Sequence, residues 1–198
     1  MNTNALIIIA KYPEKGQVKT RLNGHLSDED ILKLYISLLK QTVSKLNNIP
    51  YADTFIAFAP ANAEDYFLHF GVSLIPLNEG DLGVRMFNSF NHVFSSGYKK
   101  AVLVGADIPD ITPAIIQKAF DILSGNDTVF GPAKDGGYYL VGMRKLIREI
   151  FLNVPWSSAQ TLKKSIEQAN KFGYSAGLTE MLSDIDTIED VKRAGLLP

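Results

Sequence analysis

The chain contains no cysteine and only three histidines among its 198 residues. Without thiols there can be no disulfide framework, thiol nucleophile or cysteine-ligated zinc, which fits a reducing compartment, and three scattered histidines do not make a His-rich metal site. No apolar run approaches the roughly 18 residues that a membrane helix needs. The first run, Ala5 to Ala10, is also too short for a signal-peptide core and has no basic cluster before it. A cytoplasmic protein with no membrane span is therefore expected. Charge of one sign is missing too: the net charge is -1 and the isoelectric point is near 6.3, so nothing marks a nucleic-acid partner. No linker, repeat or low-complexity segment divides the sequence, which predicts one domain over residues 1–198. What is present is an ordinary globular mixture, 46% hydrophobic and 21% charged.

Apolar runs alternate with helical patterns. Ala5 to Ala10 reads as a buried strand, and a helix follows over Asp28 to Asn47. Ser27 and Asp30 form the capping signal of that helix, and Ile31, Leu34, Tyr35, Leu38, Thr42, Val43 and Leu46 share one face. A strand over Thr54–Ala59, a short helix over Ala63–Phe70 capped by Asn62, a strand over Val72–Pro76 and a helix over Arg85–Ser96 come next. Ala101 to Val104 reads as a central strand. Thr112 and Pro113 open a helix to Leu123, and Thr128–Gly131 and Tyr138–Gly142 are two further strands. The remainder predicts a helix over Arg144–Phe151, a turn at Pro155-Trp156 and a helix over Ala159–Phe172. A loose stretch then runs from Leu178 to Asp186, before a last short helix after Thr187. This alternation argues for βαβ units and a mainly parallel sheet, with mixed strands near Asp135 and Asp186.

Four stretches carry chemistry. The Ala101 strand stops at Gly105-Ala106-Asp107-Ile108-Pro109, which puts a carboxylate at the strand end where open α/β sheets bind ligands; a turn cap is the alternative. The loop after the first strand holds Lys11, Lys15, Lys19 and Arg21 around Gly16, a phosphate-suited set without P-loop spacing, or else a solvated basic loop. In the tail, Asp184 and Asp186 would share a face of an extended segment, so that one could join Asp107 around a divalent cation; helix capping is the competing account. Asp135, set against Gly136, Gly137 and Tyr138, lies either in a tight turn or beside a base or sugar ring. The Glu79–Met86 loop, with Gly80, Asp81 and Arg85, either contacts a nucleotide or simply turns strand into helix. Trp156 and Ser157 read as a packed surface lid.

The ordered motifs Ala10-Lys11-Tyr12-Pro13, Val18-Lys19-Thr20-Arg21-Leu22, Gly80-Asp81-Leu82-Gly83, Gly105-Ala106-Asp107-Ile108-Pro109, Asp135-Gly136-Gly137-Tyr138-Tyr139, Pro155-Trp156-Ser157 and Asp184-Ile185-Asp186-Thr187 resemble a bacterial family assigned provisionally as glycosyltransferases. Its members are nucleotide-diphospho-sugar transferase-like, some tied to arsenosugar biosynthesis. The resemblance implies an α/β fold of GT-A type, a Rossmann-like α/β/α sandwich around a mixed, mainly parallel sheet. By the same resemblance Asp107 takes the place of the metal-binding acid. Lys-Thr-Arg-Leu and Asp-Ile-Asp-Thr also resemble phospholactate guanylyltransferases, from which the chain departs by having Gly-Gly-Tyr-Tyr after Asp135.

The leading expectation is glycosyl transfer from a nucleotide-diphospho-sugar to a small acceptor. Asp107, with Asp184 or Asp186, would hold Mg2+ or Mn2+, and Asp135 would be the general base. Lys11, Lys19, Arg21, Gly80, Asp81, Arg85, Gly136, Gly137 and Tyr138 would bind nucleotide and phosphates. The alternatives are nucleotidyl transfer from a nucleoside triphosphate and a non-catalytic nucleotide-binding module.

Overall fold

The computed structural model describes residues 2–77 and 79–197. Its strands are β1 (Asn4–Lys11), β2 (Asp53–Ala59), β3 (Ser73–Pro76), β4 (Lys100–Gly105), β5 (Thr128–Pro132), β6 (Tyr138–Met143) and β7 (Ala176–Leu178). They form one sheet in the order β3-β2-β1-β4-β6-β5-β7. Neighbours pair in parallel except β6, which runs antiparallel to both β4 and β5. The helices are α1 (Asp28–Leu46), α2 (Glu64–Leu68), α3 (Leu82–Ser95), α4 (Pro113–Ile122), α5 (Thr161–Lys171) and α6 (Ile188–Arg193).

Side chains alternate across each strand, so every strand feeds two cores. Leu6 and Ile8 of β1 pack with Leu39 and Val43 of α1 and with Ile116 and Phe120 of α4. Ala5 and Ile7 face the other way, toward Phe90 and Val93 of α3 and Ala169 of α5. Helices on both faces of a sheet hide both of its sides from water, which is why the central strands read as unbroken apolar runs. The result is the expected three-layer α/β/α sandwich on a mixed, mostly parallel sheet. A third, smaller cluster of Leu22, Ile31, Leu38, Ile185, Ile188 and Val191 ties the loop after β1 to α1 and the tail.

Local chemistry explains the element ends. The Ser27 Oγ accepts from the Asp30 N–H at 3.2 Å and opens α1, and Thr112 does the same for α4 with Pro113 in the first turn. Four expectations need correction. Asn62 is not a cap, because a 3-10 turn over Ala61–Ala63 precedes α2 and provides no side-chain cap. The α3 helix starts three residues before Arg85, since Asp81 accepts from the Val84 N–H at 2.8 Å. The Arg144–Phe151 segment is not a helix. Arg144 is held out of it by Asp127, and only Glu149–Phe151 coils, as a 3-10 turn, while Ile147, Ile150 and Phe151 still bury themselves at helix-like spacing. Finally, a strand not expected from the sequence, β7, runs into the start of the loose stretch at Leu178 and pairs with β5.

The parallel strands β1, β2 and β4 end along one edge of the sheet, with Lys11 opposite Ala59 and Ile9 opposite Gly105. Because β6 is antiparallel, its first residues and the Ala133–Gly137 turn arrive at the same edge. No helix among the described residues is long and apolar enough to cross a membrane.

Candidate active site

The site begins with the loop after β1. The Tyr35 hydroxyl of α1 accepts from the Lys11 N–H and donates to the Lys11 carbonyl, at 2.9 and 3.0 Å, which pins the strand end. Val18 and Leu22 are buried on either side of Lys19. Between these anchors Lys19 takes a left-handed backbone conformation, φ 48° and ψ 42°, at the start of the Thr20–Leu22 turn. A non-glycine residue adopts that conformation at a cost, which the surrounding contacts must offset.

The contacts are carboxylates. The Lys19 Nζ donates to Asp107 Oδ2 and, at 2.9 Å, to Asp186 Oδ1, with only 6% of its side chain exposed. Burial disfavours the ammonium's charge, but Asp107 and Asp186 outweigh it and hold Lys19 protonated well above the ordinary lysine range. The Arg21 Nη1 reaches the other oxygen of Asp186 at 2.6 Å from a half-exposed position.

Asp107 follows β4 by two residues, its carboxylate folded back over Gly105, where an added Cβ would lie 2.9 Å from Oδ1. The tail is laid beside it by backbone bonds. The Leu182 N–H donates to Pro132 at 3.0 Å, and the Ile185 N–H to the Asp107 carbonyl at 3.2 Å. Ile185 is buried in the third cluster while Asp184 and Asp186 both face the cleft, the alternation expected of an extended segment. Helix capping falls to Thr187 instead, in a reciprocal capping box with Asp190.

These groups line a cleft with two lobes that share Ile9, Arg21, Leu82, Gly105, Asp107, Ser157 and Asp186. The larger lobe, about 400 Å³, holds Lys11, Lys19, Arg21 and Arg85. The smaller, about 220 Å³, is walled by Asp135, Asp184, Tyr138, Trp156 and Met86. Charge is thus separated along the cleft. Lys19 and Arg21 spend their charge on Asp186, whereas Arg85 has no carboxylate partner among the described residues, and its Nε is buried without a hydrogen-bond acceptor. In the smaller lobe the reverse holds. Asp184 makes no side-chain hydrogen bond to a described residue, and burial, reinforced by Asp186 and Asp107, pushes its carboxyl up to about 6.

Not every sequence candidate reaches the cleft. Gly80 and Asp81 do not line it. Gly80 (φ 141°) has no room for a Cβ beside Val84, and Asp81 caps α3. Asn78, in the same loop, lies outside the described residues. Gly136 lies behind the lobe, where an added Cβ would meet the Ala159 carbonyl oxygen at 2.3 Å, and Gly137 and Tyr138 line it. The Tyr138 ring meets Phe130 and Trp156 edge-on, with its hydroxyl buried in the core. Asp135 lines the smaller lobe and also closes its own turn, accepting from the Gly137 N–H at 2.8 Å. Lys19, expected to bind phosphate, is inserted between Asp107 and Asp186. Sequence reasoning missed Tyr35, a lone hydroxyl on the apolar face of α1, and set aside Trp156, which packs on Gly83 and walls the lobe.

The donor set suits a hard divalent cation. It is all carboxylate oxygen, the smaller lobe sets Asp107, Asp135, Asp184 and Asp186 against Arg21 alone, and Asp184 has a carboxyl that a cation would help to ionise. Among the described residues no three acidic or imidazole side chains form a cage by themselves. Magnesium does not require one, since it commonly takes one or two protein carboxylates with water and substrate phosphate.

The 2-phospho-L-lactate guanylyltransferase of Methanocaldococcus vulcanius is 24% identical over 194 residues, covering 94% of this chain and 82% of that protein. A Desulfovibrio desulfuricans G20 structure, provisionally assigned as a nucleotide-diphospho-sugar transferase, superposes with a TM-score of 0.92 at 30% identity, covering 98% of this chain and 87% of that one. A Mycobacterium tuberculosis H37Rv protein in complex with manganese shares the fold, with a TM-score of 0.56 at 12% identity over 97% of each chain. Residues 30–158, from the first turn of α1 to the Trp156-Ser157-Ser158 wall of the cleft, match a further model, and the chain belongs to its family, described as "Uncharacterized protein conserved in bacteria (DUF2064)".

Proposed function

We propose that this protein is a transferase that moves a sugar from a nucleotide-diphospho-sugar to the hydroxyl of a small acceptor, with Mg2+ or Mn2+ held by Asp107 together with Asp184 or Asp186. One observation carries the reading: the larger lobe contains a guanidinium, Arg85, with no carboxylate partner and a buried, unpartnered Nε. A planar donor fork beside a row of cations is matched by a phosphate, which accepts several hydrogen bonds and carries charge. The provisional assignment of the Desulfovibrio structure points the same way.

In this reading Arg85 and Lys11 bind the diphosphate, and Arg21 keeps Asp186 aimed into the cleft. The metal, when bound, neutralises charge that develops on the departing nucleoside diphosphate. Asp135, with the Gly137 N–H holding one carboxylate oxygen, has the other available to take the acceptor's proton. The smaller lobe bears Asp135 and Asp184 and, apart from Arg21 at its boundary, no basic side chain. That sign suits a neutral hydroxyl acceptor better than a phosphorylated one.

Nucleotidyl transfer is the second reading, favoured by the guanylyltransferase relative and its coverage of nearly the whole chain. The two differ in products. Incubation with a panel of sugar nucleotides should release a nucleoside diphosphate, and Asp107→Asn should abolish that release. Pyrophosphate from a nucleoside triphosphate, with sugar nucleotides left intact, would instead establish the second reading.

A further inference from the structure

We propose that Lys19 couples metal binding to nucleotide binding, its ammonium standing where the charge of the metal would otherwise satisfy Asp107 and Asp186. The inference rests on the transferase reading above. Lys19 is nearly buried, contacts both carboxylates, and is held there by a left-handed backbone. A divalent ion bound by the same two carboxylates would sit within a few ångströms of Nζ, and like charges in a partly buried site repel strongly. The ammonium and the metal are therefore competitors for one pair of acids.

The competition has a natural release. Lys19 also lines the larger lobe, beside Arg85, and its flexible stem lets the ammonium leave the acids for any strong anion that enters there. A nucleotide phosphate supplies that anion. Once it draws Nζ away, Asp107 and Asp186 need a new counter-charge and the cation's affinity rises; by linkage the cation raises the nucleotide's affinity by the same factor. Metal alone binds poorly because it must displace a satisfied lysine. Arg21 does not play this part, because it is half exposed and bonds only to Asp186.

Manganese titration followed by loss of the free-ion EPR signal tests this, with UDP and GDP as separate probes and corrected for metal–nucleotide complexes. Wild type is expected to bind Mn2+ at least 10-fold more tightly with the better nucleotide than without. Lys19→Met should bind Mn2+ alone at least 10-fold more tightly than wild type and lose the nucleotide's effect. Lys19→Arg, which keeps the charge, should behave like wild type. Because Lys19→Met risks misfolding, amine labelling of the wild type read by mass spectrometry gives an independent measure. Lys19 should be protected alone, become reactive at saturating Mn2+, and be protected again when nucleotide is added. Unchanged Mn2+ affinity in Lys19→Met, or a Lys19 that stays unreactive at saturating Mn2+, overturns the coupling while leaving the transferase reading intact. Failure to bind Mn2+ under any of these conditions overturns both.

Discussion

Two cations in one lobe should respond differently to removal, because Lys19 is ion-paired in the free protein and Arg85 is not. Lys19→Met leaves Asp107 and Asp186 without their shared counter-charge in a site where each is about a quarter exposed. Breaking a fully buried pair costs about 3–5 kcal/mol, and with carboxylates exposed to this degree the lower end applies, about 3 kcal/mol. For a chain of this size that lowers the melting temperature by roughly 6–12 °C. Arg85→Met breaks no ion pair and removes a buried, unpartnered donor, so its stability should stay within ~1 kcal/mol of wild type or rise slightly. What it loses is a charge-assisted hydrogen bond to phosphate, about 1.5–3 kcal/mol, or roughly 10- to 150-fold in affinity. Thermal melts and calorimetric titration with a nucleoside diphosphate read both quantities on each variant. If Arg85→Met melts as low as Lys19→Met and binds nucleotide like wild type, the distinction between a cation ion-paired in the free protein and one left free for phosphate is wrong.

Asp184 gives a pH signature. Its folded-state carboxyl is raised to about 6, so its contribution to stability is present in full at low pH and is lost as pH rises through 6. Asp184→Asn should match wild type in melts near pH 4 and be the more stable protein at pH 7 and above. Asp81→Ala should cost about 1 kcal/mol through loss of the α3 cap and leave nucleotide affinity unchanged; a drop in affinity would return this residue to the binding set. Gly136→Ala, which forces a Cβ against the Ala159 backbone at φ 87°, should be far more damaging than Gly16→Ala, where φ is 77° and the space is open. Comparison of their denaturant midpoints checks the ranking.

The sheet was largely legible because its central strands are apolar throughout, and β1, β2 and β4 match the runs seen in the sequence to within a residue. Helix α1 was legible through its cap and apolar face. Legibility failed where a tertiary partner decided the outcome. Arg144 is claimed by Asp127, across the β5–β6 hairpin, and the periodic Ile147, Ile150 and Phe151 form no α-helix, with only a 3-10 turn over Glu149–Phe151. The three residues of β7 are too few for any periodicity to show. At the site, the end of β4 singled out Asp107 and the alternation of the tail singled out Asp184 and Asp186. The pairing of Lys19 with two of them lies beyond local pattern, because its partners stand 88 and 167 residues away.

That last separation bears on how the protein comes undone. The cleft closes only when a loop from the opening strand meets a segment that follows the final one, joined by the Lys19 and Arg21 ion pairs to Asp186, the small Leu22–Ile185–Val191 cluster and a few backbone bonds of the tail. So few bonds should give way at a lower free energy than the sheet beneath them. Native-state hydrogen exchange should therefore find the amides of Leu182 and Ile185 opening well before those of β1 and β4, with catalytic competence lost while the fold is still standing.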